Sequence, residues 1–173
     1  GLRLSAAENV TDKWRMKEAF CRGGVCTPPF EKISSPAQAR QAARRLGYPL
    51  AVKAVDSSGS RGVTIVKEEG QLEAAFWDAM KVSQKGYALA EAFVKAHEIG
   101  VDGFVKDGRL TFFAPHEKYM FRSDKAAAPA GHRFPYRASP KLLREIYRQM
   151  QLAAEATGLD ACPVNADVLT DGE

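Results

Sequence analysis

The sequence of 173 residues predicts an α+β fold built in two layers. Two observations lead to this fold class. Segments with helical spacing and short apolar or β-branched runs follow one another in mixed order along the chain. In addition, two alternating runs flank an Asp-Gly turn at residues 107 and 108, a pattern that is typical of an antiparallel hairpin. This mixed order does not favour a doubly wound parallel sheet.

The clearest predicted helix follows the sequence Ser-Ser-Pro. Ser35 is the expected N-cap, Pro36 occupies the first turn, and Gln38 completes a capping box. Gly47 stands at the C-terminal cap position, where glycine is common. These signals predict both ends of the helix.

Three further segments predict helices. Segment 11–24 begins with Thr11 as its N-cap and ends at a Gly-Gly pair. The other two place apolar residues on one face, as helices that pack on a core do. These faces hold Leu72, Ala75, Phe76 and Met80 in segment 69–86, and Leu143, Ile146, Tyr147, Met150 and Ala154 in segment 139–158. Segment 139–158 begins with a second Ser-Pro cap, at Ser139.

The predicted strands are short runs bounded by turn residues. An extended segment at 27–33 comes first. The predicted strands then cover 49–55, 62–67, 87–94, both arms of the hairpin in 97–119, and 162–172, which includes a final turn. Residues 121–138 are polar with alanine, glycine and proline, and this composition predicts a mobile loop.

Composition and charge favour an ordinary globular protein. The chain has 25 Lys+Arg against 21 Asp+Glu, for a net charge of +4, which suits a small anionic ligand. Aromatic residues are only 9%, and no basic stripe is interleaved with them, so we expect no nucleic-acid partner. The sequence has neither an 18-residue apolar run nor a signal peptide, so we expect a cytoplasmic protein without a membrane partner.

The cysteines and the two ends of the chain lead to two further expectations. Cys21, Cys26 and Cys162 lack zinc-site spacing, so we expect reduced thiols that pack as small buried hydrophobic residues. The chain lacks an initiator methionine and stops after a strand and a turn. We therefore expect a fragment of a larger protein.

The stretch DSSGSRG, residues 56–62, predicts a loop that cradles an anion. A bent loop rich in serine and glycine exposes backbone N–H groups, and phosphate is their most common ligand. Arg61 would add charge-assisted hydrogen bonds, and Lys53 ends the preceding strand. The loop is not a Walker A motif, because Val63 follows Gly62 where that motif has lysine. An ordinary exposed hairpin loop is the alternative.

Four motifs in this order resemble the ATP-grasp superfamily, most closely its carboxylate–amine ligase and carbamoyl-phosphate-synthase-like branch. They are TDK, GYPLAVKAVDSSGSRGV, ALAEAFVKAHEIGVD and VNADVLTDG, and they cover nearly the whole chain. The resemblance implies two α+β subdomains with mainly antiparallel sheets that hold ATP between them. We expect these subdomains at residues 1–90 and 91–173, the second incomplete at its C-terminal end.

The resemblance also implies roles for the residues on the phosphate side. Lys13 would approach the phosphates, and Lys53 would contact the α-phosphate and the adenine side. Lys53 and Arg61 are the expected catalytic residues. The loop that closes over the triphosphate comprises Ser57, Ser58, Gly59, Ser60, Arg61 and Gly62. A Gly59→Val plus Gly62→Val variant is expected to keep the fold and lose ATP affinity. For Lys13, a solvated helix lysine is the alternative.

The remaining nucleotide contacts follow from the same resemblance. Backbone groups of the hinge would bind adenine, and the hinge comprises Glu91, Ala92, Phe93 and Val94. Glu98 would bind the ribose hydroxyls, and Lys118 a phosphate or the substrate. Asp167 would bind Mg²⁺, with Mn²⁺ as an alternative, because a hard cation prefers carboxylate and phosphate oxygens. A surface salt bridge for Glu98 and a lysine-paired buried carboxylate for Asp167 are the alternatives. The second metal ligand of the family is expected beyond Glu173.

The implied reaction is an ATP-dependent ligation. ATP phosphorylates a substrate carboxylate, and an amine or a thiol then displaces phosphate from the acylphosphate. The expected partners are small-molecule carboxylate and amine substrates, and a homodimer is compatible with the sequence. An ATP-binding module without catalysis and an ATP-grasp phosphotransferase are the alternatives. Within the predicted mobile loop, Arg122, His132 and Arg133 are candidates for binding a substrate carboxylate, and each is equally compatible with simple solvation.

Overall fold

The computed structural model describes residues 2–122 and 127–172. Its helices are α1 Leu4–Thr11, α2 Lys13–Arg22, α3 Pro36–Leu46, α4 Leu72–Val82, which follows a 3₁₀ turn at Glu69–Gln71, and α5 Pro140–Thr157. Its strands are β1 Phe30–Ile33, β2 Leu50–Ala54, β3 Val63–Val66, β4 Ala88–Ala92, β5 His97–Lys106, β6 Arg109–Arg122, β7 Ala127–Arg133 and β8 Cys162–Thr170. The helices and two antiparallel four-stranded sheets confirm the predicted α+β fold.

The first sheet has the strand order β1-β4-β2-β3. Helices α3 and α4 pack on one of its faces, and Leu50 and Val52 of β2 are fully buried beneath them. Successive residues of a strand point to opposite faces. Lys53 of β2 and Glu91 of β4 therefore lie on the face that these two helices leave open.

The second sheet has the strand order β7-β6-β5-β8. Helix α5 packs on one face, where Ile99, Val101 and Val105 of β5 are buried. By alternation, Glu98 and Gly100 lie on the other face. We call this second face of the second sheet its open face, and it carries the polar residues described below.

The two predicted Ser-Pro helix starts are confirmed. The Ser35 hydroxyl accepts from the N–H of Gln38 at 3.2 Å, and the Gln38 side chain accepts from the N–H of Ser34. Ser139 caps α5 in the same way, since its hydroxyl accepts from the N–H of Leu142 at 3.1 Å. These caps are local features, which explains why the sequence predicted them correctly.

The predicted start of α2 is wrong by one residue. Thr11 is the last residue of α1, and Asp12 caps α2 instead. Its Oδ1 accepts from the N–H of Trp14 at 2.9 Å and from the N–H of Arg15 at 3.3 Å. A carboxylate at this position satisfies two N–H groups of the first turn that have no partner within the helix.

The predicted buried face of α5 is correct at Ile146, Met150 and Ala154 and wrong at Tyr147. Leu142 is buried there, whereas Tyr147 is 40% exposed. The ring of Tyr147 packs edge to face against Phe113, and its hydroxyl donates to the carbonyl of Leu110 at 2.9 Å. Tyrosine suits this edge of the helix because its ring is apolar and its tip is polar.

The mobile loop predicted for residues 121–138 is wrong over most of its length. Strand β6 continues to Arg122, and Ala127–Arg133 forms β7, which pairs with β6. Residues 123–126 lie outside the described residues. Small residues hide the alternation that would signal a strand, and β7 is a strand because its backbone pairs with β6.

Two expectations from composition have different outcomes. The three cysteines are free thiols, but the expectation that they are buried is wrong, because Cys21 and Cys26 are exposed and Cys162 is only partly buried. Cys21 lies on the outer side of α2 near its end. Among the helices that the structure describes, none combines the length and apolar character that a membrane span requires.

By its internal contacts the chain divides into two units. One comprises Gly1–Val10, Met16–Cys26 and Lys95–Glu173, and the other comprises Thr11–Arg15 and Thr27–Val94. The unit that contains Thr27–Val94 holds the first sheet, β1-β4-β2-β3. The unit that contains Lys95–Glu173 holds the second sheet, β7-β6-β5-β8. The predicted subdomain boundary between residues 90 and 91 stays a prediction. In the division by internal contacts, the chain passes from one unit to the other between Val94 and Lys95.

Candidate functional site

Lys53 and Glu91 form an ion pair on the open face of the first sheet. Nζ of Lys53 donates a hydrogen bond to Oε2 of Glu91. Their strands are neighbours, with Ala51 directly opposite Glu91, so the two side chains are diagonal across one strand pair. Glu91 is buried and Lys53 is partly exposed. Because a buried carboxylate needs a charged or hydrogen-bonding partner, the pair holds the Lys53 ammonium in place.

Lys13 brings a second ammonium group to the loop that follows β2. Its backbone N–H donates to the carbonyl of Val55 at 2.9 Å, and its Nζ donates to the carbonyl of Ser57 at 2.5 Å. Burial lowers the pKa of Lys13, and the positive charge of Lys53 lowers it further. Two ammonium groups that repel each other at one loop would both be stabilised by an anion.

The loop of residues 56–62, predicted to bind phosphate and called the phosphate loop below for that reason, has the bent backbone that the sequence predicted. Gly59, Ser60 and Gly62 have positive φ values of 65°, 57° and 67°. The N–H of Ala54 donates to the carbonyl of Gly62 at 2.7 Å and closes the base of the loop. A Cβ on Gly62 would lie 2.8 Å from the Cβ of Ala54, so only glycine fits there without a shift.

Arg61 is exposed and folds back on its own loop. Its Nε donates to the carbonyl of Ser58 at 3.3 Å. The Ser57 hydroxyl donates to the same carbonyl at 3.4 Å. The expected phosphate contact and the catalytic role of Arg61 stay predictions.

The hinge segment, residues 91–94, already uses two of its backbone donors. The N–H of Ala92 donates to the carbonyl of Pro29 at 2.9 Å, and the N–H of Phe93 donates to the carbonyl of Pro49 at 3.2 Å. The side chains of Phe93 and Val94 are about two-fifths exposed. They therefore offer apolar surface at the end of β4.

Lys118 joins Glu98 and Asp167 on the open face of the second sheet. Its Nζ donates to Oε1 of Glu98 at 2.5 Å and to Oδ1 of Asp167 at 2.6 Å. The Lys118 side chain is 7% exposed, whereas that of Asp167 is 65% exposed. Burial alone would favour the neutral amine, but the hydrogen bonds to Asp167 and Glu98 outweigh it and raise the pKa of Lys118.

The donor set around Asp167 fits a magnesium ion that arrives on phosphate. Within the described residues, no three His, Cys, Asp or Glu side chains converge as a set that could hold a metal by themselves. Magnesium in nucleotide sites commonly uses one or two carboxylates and completes its shell with phosphate oxygens and water. One exposed carboxylate at Asp167 matches that pattern and does not match an all-protein cage.

Sequence reasoning gave a salt bridge for Glu98 and a lysine partner for Asp167 as alternatives, but it did not identify Lys118 as the partner that both share. Lys118 lies many residues from both Glu98 and Asp167, and only the register of β6, β5 and β8 brings them together. It also did not single out His116, a buried histidine on the same face. Gly100, which lies opposite His116, was the available signal, because glycine in a strand often marks a close approach.

Comparison with known proteins identifies proteins that are similar to this chain in sequence and in fold. The D-alanine–D-alanine ligase of Pelobacter propionicus is 33% identical over 172 residues, which are 98% of this chain and 54% of that protein. The structure of phosphoribosylglycinamide synthetase from Anaerococcus prevotii has a TM-score of 0.72 and 30% identity, over 100% of this chain and 43% of that one. Biotin carboxylase from Campylobacter jejuni shares the fold with a TM-score of 0.83 at 22% identity, over 98% of this chain and 40% of that one.

The family itself follows from the match along the sequence. The chain spans about half the length of the D-alanine–D-alanine ligases that it matches. Residues 18–159 match the family described as the ATP-grasp domain, and this segment contains every strand of both sheets except β8. Together with the four ordered motifs, this match shows that the chain belongs to the ATP-grasp family.

Proposed function

We propose that this chain binds Mg-ATP as part of an ATP-dependent ligase that joins a small carboxylate to an amine. The observation that carries the proposal is the convergence of Lys13 and Lys53 at a glycine- and serine-rich loop. The 33% identity to a D-alanine–D-alanine ligase supports the reaction class.

The phosphates of ATP would be bound by the two lysines and the phosphate loop. Lys13 now donates to the carbonyl of Ser57, and Lys53 to Glu91. A phosphate oxygen is a stronger acceptor than a backbone carbonyl, so Lys13 would exchange Ser57 for ATP. The backbone N–H groups of residues 57–62 would complete the contacts, and Arg61 would turn from Ser58 to the triphosphate.

The nucleoside would be bound by the residues that follow β4. Phe93 and Val94 offer apolar surface for the adenine face. Because the N–H groups of Ala92 and Phe93 are engaged, the adenine edge would use Val94 and the carbonyls of the hinge. Glu98 would accept hydrogen bonds from the ribose hydroxyls, and two hydroxyls suit one carboxylate.

The metal would be held by Asp167 together with phosphate oxygens, and Mn²⁺ is an alternative to Mg²⁺. When bound, the divalent cation neutralises charge on the phosphates. Lys118 already neutralises one oxygen of Asp167 and is itself a candidate for a phosphate or substrate contact. The chain therefore offers a carboxylate for the metal and an ammonium group beside it.

In the reaction, an oxygen of the substrate carboxylate attacks the γ-phosphorus of ATP, and the bond to the ADP oxygen breaks. The amine nitrogen then attacks the carbonyl carbon of the acylphosphate, and phosphate leaves as the amine loses a proton. Lys13 and Lys53 contribute positive charge at the phosphates rather than proton transfer. Closure of loop 56–62 would exclude water that would otherwise hydrolyse the acylphosphate.

The test begins with nucleotide binding. Isothermal titration calorimetry of the chain with Mg-ATP is expected to give saturable binding. Lys13→Met and Lys53→Met should each weaken it about tenfold or more, because each removes a hydrogen bond to a charged phosphate. The matched control is Lys81→Met, an exposed lysine on α4, which should leave the affinity unchanged. Absence of Mg-ATP binding would overturn the proposal.

The reaction class is tested by ADP release from the complete protein that contains this chain. D-Alanine and a panel of other small carboxylates and amines serve as substrates. Stimulated ADP release with formation of an amide supports the ligase. ATP binding without turnover would identify a binding module, and a phosphorylated product without a new amide would identify a phosphotransferase.

A further inference from the structure

Two imidazole rings lie edge to face on the open face of the second sheet. The ring centroids of His116 and His132 are 4.7 Å apart, with an angle of 77° between the planes. Phe134 covers His116 from another side at 4.5 Å. His116 is 2% exposed, whereas His132 and Phe134 are exposed. The buried ring of His116 therefore packs against the accessible ring of His132.

Gly100 provides the space that the buried ring occupies. It lies opposite His116 in the register of β5 and β6. A Cβ on Gly100 would lie 2.1 Å from Nε2 of His116, and the φ of Gly100 is not in the positive range. Glycine is thus needed here for room and not for backbone conformation.

Polar groups of β5 and β6 lie beside Nδ1 of His116. Its Nδ1 lies 3.7 Å from Oδ2 of Asp102 and 3.4 Å from the carbonyl of Ala114. Asn165 in turn donates to Oδ1 of Asp102 at 2.7 Å. Asp102 is therefore held by Asn165 close to the buried ring of His116.

The pair adjoins the residues proposed for phosphate and metal. His132 lies directly opposite Lys118 in the register of β6 and β7, and Gly100 lies directly opposite Asp167 in the register of β5 and β8. Side chains opposite each other in antiparallel strands have Cβ atoms about 5 Å apart. A small molecule bound next to Lys118 and Asp167 on this face would contact His132.

Two of the three side chains predicted to bind a substrate carboxylate, Arg133 and His132, lie on opposite faces of the second sheet. Arg133 lies 3.9 Å from Glu117, and Glu117 is opposite Ile99 on the face that α5 covers. The side chain of Arg122 lies outside the described residues. His132 is exposed and its ring contacts that of His116, so a ligand has access to the His132 ring from solvent.

We propose that His132 is a substrate-binding residue, whose imidazole N–H donates a hydrogen bond to the carboxylate of a small amino-acid-like substrate. His116 positions the His132 ring, and Asp102 positions His116. This inference rests on the proposed ligase function, and it names the residue on this sheet that recognises the substrate.

The test uses the three histidines of the chain, His97, His116 and His132, as separate reporters. Ring ¹⁵N signals from histidine-labelled protein are followed by NMR during titration with D-alanine and with acetate, each with and without Mg-ATP. We expect a saturable shift of the His132 ring signals. His97 is the internal control, because it is bound to Glu117 at 2.9 Å on the face of α5.

Two variants separate hydrogen bonding from packing. His132→Phe keeps a flat ring against His116 but lacks the N–H, and it should weaken D-alanine binding about tenfold, the effect of one hydrogen bond to a charged group. His132→Gln keeps a donor and should remain within about threefold of the wild type. D-Alaninamide, which lacks the carboxylate, should not shift His132. Circular dichroism verifies that both variants are folded.

The outcomes distinguish this inference from the proposed function. No saturable His132 shift with either carboxylate, or equal D-alanine affinity in His132→Phe and the wild type, overturns the role of His132 even if Mg-ATP binds. A His132 shift in a chain that does not bind Mg-ATP would support a carboxylate site and would overturn the nucleotide proposal alone.

Discussion

Lys53 donates a hydrogen bond to Glu91 across the two central strands of the first sheet, and this pair places one cation beside the phosphate loop. The side chain of Glu91 is 9% exposed, and the ammonium group of Lys53 compensates charge on this buried carboxylate. The pair therefore connects the stability of the sheet to the candidate ligand site.

Removal of the Lys53 charge alone should destabilise the fold more than removal of the charges of both Lys53 and Glu91. We expect Lys53→Met to lower the free energy of unfolding by about 2–3 kcal/mol, because it leaves the carboxylate of Glu91 buried without its ammonium partner. Adding Glu91→Gln should recover about half of this loss. Urea unfolding of the two single variants and the double variant measures the coupling. Additive effects in the three variants would contradict the interpretation.

The two glycines of the phosphate loop should differ in their tolerance of substitution. A Cβ at Gly59 meets nothing within 4 Å, whereas a Cβ at Gly62 would lie 2.8 Å from Ala54 and 3.1 Å from Val82. Gly59→Ala should therefore lower the free energy of unfolding by about 1 kcal/mol through its positive φ. Gly62→Ala should cost about 2–3 kcal/mol, because overpacking adds to the strain.

This difference corrects the expectation that a double Gly59→Val and Gly62→Val variant keeps the fold. Valine at residue 62 would press on the base of the loop and on α4. Gly59→Val alone is the better probe of ATP affinity, since it changes the loop without that overlap. Equal unfolding free energies for the alanine variants at the two positions would contradict the prediction.

The contribution of Lys118 to stability should disappear at alkaline pH. Its pKa is raised above the ordinary value of 10.5, so the folded state retains this proton more strongly than the unfolded state. The stabilisation is complete below that ordinary value and is lost as the pH rises through the raised pKa. We expect Lys118→Met to lower the free energy of unfolding by about 1–2 kcal/mol at neutral pH. This difference should shrink above pH 10.5.

The measurement compares urea unfolding of wild type, Lys118→Met and the control Lys81→Met over this pH range. Lys81 pairs with Asp78 on the exposed surface, so its replacement should change the free energy by less than about 0.5 kcal/mol. A Lys118→Met difference that grows with rising pH would show that the sign of the linkage is wrong.

Gly100 and His116 should show strong coupling in a double-mutant cycle. Gly100→Ala should lower the free energy of unfolding by about 2 kcal/mol, because its Cβ would overlap the buried imidazole. In a His116→Ala background, the same change should cost less than about 0.5 kcal/mol, since the ring is gone. Thermal or urea unfolding provides the values, and an equal cost in both backgrounds would contradict a steric role for Gly100.

The sequence by itself determined the local features of this chain and the order of its motifs. Ser35 and Ser139 each cap a helix by accepting from the N–H three positions away, so propensity and short spacing were sufficient to find them. The Asp107–Gly108 turn likewise shows in the sequence, and both residues have positive φ. The order of four motifs identified the ATP-grasp family, because each motif is a contiguous stretch.

The pairings across strands were decided only by the tertiary structure. The bonds of Lys118 to Glu98 and Asp167 depend on the registers of three strands, and register is a property of backbone pairing between distant segments. The same reason explains why residues 127–133 form a strand despite a loop-like composition. The imidazole pair of His116 and His132 exists because β6 and β7 are neighbours and because Gly100 leaves room beneath one ring.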